Sequence, residues 1–192
     1  MANTDRPFGL RAVDNPSGTA ATLRPYTVKA STAIYEGMIV ALNSTAQIIG
    51  YTTTDAVAGD LVGVASHPVA STDTDRTLMV YNDPRQRYEI QADGADITAS
   101  TVYLYKFAPL TNGASGNTTT MQSKAELDSS GLSSTLGTAA TNIKCLQILG
   151  VSDNIKNEEA VAYTRYIVQI APPCHLNGMG SVGISATYAG IG

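Results

Sequence analysis

Gly37-Met38-Ile39-Val40-Ala41-Leu42, then Asn43-Ser44, then Gln47-Ile48-Ile49-Gly50-Tyr51: two short apolar runs joined by a turn decide the fold class. Each run has the length of a strand and is too short for a buried helix. Asn and Ser between them are turn formers. The pair therefore reads as two neighbouring strands.

The same unit recurs on either side. Upstream, Tyr26-Thr27-Val28-Lys29 alternates apolar and polar residues. Downstream, Leu61-Val62-Gly63-Val64-Ala65 follows a turn at Gly59-Asp60, and Thr77-Leu78-Met79-Val80-Tyr81 ends in Asn82-Asp83-Pro84. Tyr88-Glu89-Ile90-Gln91 then ends at Asp93-Gly94. Connections this short cannot carry parallel crossovers, so the pairing should be antiparallel. Two longer β patterns close the chain, at Ile143–Val151 and Ala160–Ala171. In the second, Val161, Tyr163, Arg165, Ile167 and Gln169 share one face, while Ala162, Thr164, Tyr166, Val168 and Ile170 form a covered one. Pro172-Pro173 stops it. The expected fold is all-β: a mostly antiparallel barrel or sandwich, β-tulip-like, with little helix.

Around this body, residues 26–175, the composition changes. Residues 1–25 carry Pro7, Pro16 and Pro25 with Gly9 and Gly18, which prevents helix and makes strand pairing intermittent. Phe8, Leu10 and Val13 are apolar, so this stretch reads as an extended arm that docks on something rather than a solvated tail. Residues 95–110 give no clean face. Residues 111–142 are rich in Thr, Ser, Gly and Ala and read as an excursion from the body. Within it Ser123-Lys124-Ala125-Glu126 has capping-box spacing, leaving a two-turn helix open beside a loop or edge strand. From 176 to 192 the chain is Gly-rich and reads as a tail.

The chain has 192 residues, enough for one substantial domain without disulfides or metal. Twelve basic residues against sixteen acidic ones give a net charge of −4, with no basic stripe for nucleic acid. No apolar run of about 18 residues predicts a membrane-spanning helix, and the start lacks the apolar stretch of a signal peptide. Synthesis in a cytoplasm is the expectation. Cys145 and Cys174 read as reduced, buried thiols.

Little of the sequence suggests catalysis. His67 and His175 are too few for most acid–base machinery, and Cys145, Cys174 and His175 lack zinc-site spacing. Ser71-Thr72-Asp73-Thr74-Asp75 resembles part of a calcium loop but lacks the glycine and distal glutamate. Gly178-Met179-Gly180-Ser181-Val182-Gly183 has the letters of a dinucleotide fingerprint without its strand–helix context. The sequons at Asn43 and Asn117 mean little without a secretion signal. No enzyme activity, cofactor or metal is expected.

The opening Met1-Ala2-Asn3-Thr4-Asp5-Arg6-Pro7-Phe8-Gly9-Leu10-Arg11-Ala12-Val13 resembles the start of many small structural proteins of tailed phages. So do Glu36-Gly37-Met38-Ile39-Val40, Leu61-Val62-Gly63-Val64, Tyr81-Asn82-Asp83-Pro84 with Tyr88–Ala92, Leu146–Val151, and His175-Leu176-Asn177. In order and spacing these patches are similar to head decoration, or cement, proteins of the lambda-type family. The segment 111–142 and Cys174 beside His175 depart from that pattern. The resemblance implies a homotrimer on the outer surface of the virion capsid, bound to the major capsid protein and bracing it against packed DNA. It implies capsid-binding residues Arg6, Pro7, Phe8, Gly9, Leu10 and Arg11, with Phe8 and Leu10 as apolar anchors and the arginines meeting carboxylates. Direct contact with nucleic acid or membrane is not expected. Another virion subunit, such as a minor capsid or tail protein, and a surface-exposed glycan-binding β module are the alternatives.

Overall fold

A computed structural model of the chain describes residues 3–18, 21–51, 61–94, 103–135, 144–154, 157–158 and 161–176. Through these residues run β1 (Arg11–Ala12), β2 (Leu23–Thr27), β3 (Ile39–Leu42), β4 (Ile48–Gly50) and β5 (Leu61–Ala65). Then come β6 (Thr77–Tyr81), β7 (Arg87–Gln91), β8 (Phe107–Ala108), β9 (Leu110–Thr111) and β10 (Gly116–Asn117). The last are β11 (Gln122–Ser123), β12 (Glu126–Leu127), β13 (Leu146–Val151) and β14 (Arg165–Ile170), followed by a 3-10 turn at Pro172–Cys174. Among the described residues there is no α-helix. The fold is all-β.

Two five-stranded antiparallel sheets dominate, ordered β1-β7-β14-β13-β8 and β2-β6-β5-β3-β4. They form a sandwich and not a closed barrel, although Val28, just past β2, bridges Ile48 on the far edge strand of the second sheet. The pairs β10–β11 and β9–β12 stand beside them.

Alternation along the strands builds the core. In the first sheet Tyr88, Ile90, Leu146, Ile148, Tyr166, Val168 and Ile170 point to one side and meet Ile39, Ala41, Leu61 and Val64 of the second. The opposite face of the second sheet is also covered. Val40, Val62, Leu78 and Val80 pack there with Val28, Ile34, Met38 and Val69. A sheet buried on both faces needs apolar residues at every position, which is why β3 and β5 read as unbroken apolar runs. β5 accommodates a register shift opposite Val40–Ala41. At Gly63 a Cβ would lie 2.0 Å from the Tyr81 carbonyl oxygen, so only glycine fits.

Local side-chain hydrogen bonds fix the turns. The Asn43 side-chain oxygen accepts from the backbone N–H of Thr45 (3.0 Å) and of Gln47 (2.8 Å). Asp83 accepts from the Arg85 N–H and from the Asn15 amide, both at 2.8 Å. Partial burial pushes the Asp83 carboxyl up, but those two bonds and the Arg85 guanidinium outweigh it and hold it below the usual carboxylate range. Arg76 has a staple role that its sequence context did not announce. Its guanidinium donates to the carbonyls of Ala70, Lys29 (2.7 Å) and Thr32, tying the 70–76 loop to the exit of β2.

The covered face expected at Tyr166, Val168 and Ile170 is buried as read, though β14 starts at Arg165 because Val161–Thr164 is a turn with Tyr163 at φ 61°. The capping-box spacing at Ser123 makes no helix: its hydroxyl accepts from the N–H of Ala125 (3.1 Å), turning the chain from β11 into β12. The boundary expected at residue 25 falls inside β2. Pro25 sits in that strand because β2 is an outer edge, where a missing N–H is tolerated. Leu23, Arg24 and Pro25 are exposed there, a charge and a proline that discourage edge-to-edge pairing. The Gly-rich stretch from 177 onward and residues 136–142 of the excursion lie outside the described residues.

Candidate binding cleft beneath the N-terminal arm

Residues 3–15 lie along the body of their own chain. Arg11 and Ala12 form β1, the antiparallel edge strand beside Glu89 and Tyr88 of β7. The Val13 N–H donates to the Arg87 carbonyl (3.1 Å), and the Arg87 N–H to that of Asp14 (3.0 Å). Farther out, the Gln91 amide donates to the Thr4 carbonyl (2.7 Å) and its oxygen accepts from the Arg6 N–H (2.9 Å). Asn3 exchanges two hydrogen bonds with the backbone of Glu158.

Two glycines permit this course. Gly9 has φ +70° and Gly37 has φ +77°. A Cβ on Gly9 would lie 2.6 Å from the Gly37 carbonyl oxygen, the same oxygen that accepts from the Leu10 N–H at 2.9 Å. A Cβ on Gly37 would lie 3.0 Å from the Phe8 oxygen. The two chains cross at backbone contact, and Leu10 turns inward to become a member of the main core at 2 % exposure.

The six residues expected from sequence therefore separate by role. Gly9 and Leu10 hold the arm to the body; a buried Leu10 is not available as an anchor for a partner, because its apolar surface is already covered. Arg11 makes an ion pair with Glu89, its cross-strand neighbour, whose side chain is buried and also accepts from the Ser152 hydroxyl (2.5 Å). Arg6, Pro7 and Phe8 line a cleft of about 490 Å³ together with Leu10 and Arg11.

Its other walls come from distant sequence. Glu36 and Gly37 precede β3, Gln122 and Asn117 belong to the β10–β11 pair, and Arg165 opens β14. The guanidiniums of Arg11 and Arg165 lie over the Phe8 ring, 5.6 and 5.3 Å from its centroid, within the range of cation–π attraction. The lining thus holds three arginines and one carboxylate, Glu36, on a chain of net charge −4. Among the described residues no carboxylate pairs with Arg6 or Arg165. Asp5 does not line the cleft; after burial, its charge helps raise the Glu126 carboxyl. Arg165 was legible only as one residue of a strand face, and nothing local linked it to Phe8.

The weaker sequence candidates occupy ordinary structural positions. Asp73 accepts from the Ala70 N–H (2.7 Å) and Asp75 from that of Thr77 (2.9 Å), so both carboxylates cap turns. His67 meets the Ser66 hydroxyl at 3.2 Å and the Thr77 carbonyl at 3.3 Å. Cys145 and Cys174 are buried free thiols. The Gly178–Gly183 motif lies outside the described residues. No protein-family model matches the chain, and no curated protein is significantly similar to it.

Proposed function

We propose that this chain is a structural virion protein that binds the outer surface of a tailed-phage capsid as a trimer and cements neighbouring major capsid subunits. The reading rests on the ordered resemblance that runs from the Pro7-Phe8-Gly9-Leu10 arm to His175-Leu176-Asn177. It is supported by an all-β body that presents the outer half of that arm, Arg6 to Phe8, beside a solvent-facing cleft. A bridging protein stabilises a shell by linkage: at a hundred times its dissociation constant each bound site adds about 2.7 kcal/mol. Trimerisation turns weak single contacts into avidity.

The direct test is size-exclusion chromatography with light scattering, followed by co-sedimentation with expanded, empty heads lacking the protein. A trimer mass and saturable co-sedimentation are expected. A monomer that stays in the supernatant would refute the proposal. A glycan-binding module is the second reading, favoured by Tyr105, 68 % exposed at a turn tip; saturable glycan-array binding without head binding would select it.

A further inference from the structure

We infer that the cleft beneath the arm is a receptor for an extended, acidic peptide segment of the protein's partner. This rests on the proposed virion role and specifies its chemistry. Arg6, on the arm, and Arg165, at the start of β14, line the cleft with no carboxylate partner among the described residues, and the arm's backbone is fixed there by Gly9, Gly37 and Leu10. Planar guanidinium forks match carboxylates in two parallel hydrogen bonds. Arg11 contributes less, since Glu89 already neutralises it. Gln122 of β11, which also lines the cleft, adds an amide that can meet a peptide backbone.

The occupant follows from charge and shape. The cleft is locally cationic on an anionic chain, which attracts a short acidic segment but repels a long polyanion such as nucleic acid. A volume of about 490 Å³ suits a few residues. Phe8 is already covered by two guanidiniums, so its ring is not open for base stacking. Glu36 is the one lining charge of the wrong sign, and it gives the inference a second, oppositely directed test.

The probe is a fluorescein-labelled hexaglutamate peptide, followed by anisotropy with the full chain at low salt. Arg6→Glu should weaken binding about tenfold, the size of one lost charge-assisted pair. That side chain is exposed, and it is the Arg6 backbone that holds Gln91, so the fold survives the change. Arg165→Glu should do the same, and Glu36→Gln should tighten binding. Arg24→Glu, a matched charge reversal on the outer strand β2, should change it less than twofold. The inference is overturned if hexaglutamate does not bind, if Arg24→Glu weakens binding as much as Arg6→Glu, or if oligo-dT binds more tightly through the same arginines. Head co-sedimentation keeps the two readings apart. Peptide binding lost while heads still bind removes the cleft inference alone, and cleft-dependent peptide binding without head binding removes the virion role alone.

Discussion

Gly9 and Gly37 show how one residue type positions a whole segment. Replacing Gly9 by alanine would force a Cβ against the Gly37 carbonyl at a φ of +70°. A cost of about 2 kcal/mol is expected from strain and contact together. The loss should be local first: limited proteolysis should cut Gly9→Ala within residues 3–15 while the rest stays intact. Uniform digestion along the chain would contradict that.

His175 carries a pH dependence at the same scale. Burial lowers its pKa from 6.5 to about 4, with Asp83 acting weakly in the opposite direction. The unfolded chain therefore binds a proton between pH 6.5 and 4 that the folded chain does not. Stability is full above about pH 6.5 and falls as pH drops towards 4, by roughly 3 kcal/mol at most from this group. Urea midpoints measured across that window should decline, and His175→Gln should flatten the decline. The Asp83 carboxylate, held below its ordinary range, loses its contribution only at lower pH, so the two effects separate.

Among elements, β1 ties the N-terminal segment to the body because it is both arm and sheet. Its strand caps the β7 edge, an edge that would otherwise be open to pairing with other chains. Deleting residues 2–13, a natural first test of an arm, would also strip Leu10 from the core; point changes at Arg6 and Phe8 test binding without that confusion. The Arg76 staple makes a second element-scale prediction. Arg76→Met removes three carbonyl partners and should cost about 2 kcal/mol. Hydrogen exchange should show the loss concentrated at residues 29–34 and 69–76, whereas a change confined to β13 and β14 would contradict the assignment. How much of this was legible can be judged element by element. Asn43-Ser44 and Asn82-Asp83-Pro84 announced their turns because each closes on a near neighbour, Asn43 on Thr45 and Gln47 and Asp83 on Arg85. β14 announced its buried face because alternation is a local property. β1 did not, since two residues carry no period, and its partner lies in the middle of the chain.

At the scale of the molecule, one core spans both sheets and the arm. Cys145 and Cys174 sit inside it at 0 % and 1 % exposure, and burial pushes the Cys174 thiol up to about 12 and that of Cys145 higher still. Both should be inert to a thiol reagent in the folded protein and label together, at a rate that follows global unfolding. Much faster labelling of Cys174 would show the C-terminal turn opening by itself. The sequence by itself determined the strand-rich class, the antiparallel pairing and most turns, because these depend on alternation and on side-chain bonds between near neighbours. Only the tertiary structure decided that Leu10 belongs to the core, that Arg11 is neutralised by Glu89, and that Arg165 joins Arg6 and Phe8 around one cleft. Those contacts join residues far apart in the chain. They exist because two sheets must stack to bury their faces, and no local pattern records which strand edge the arm then finds.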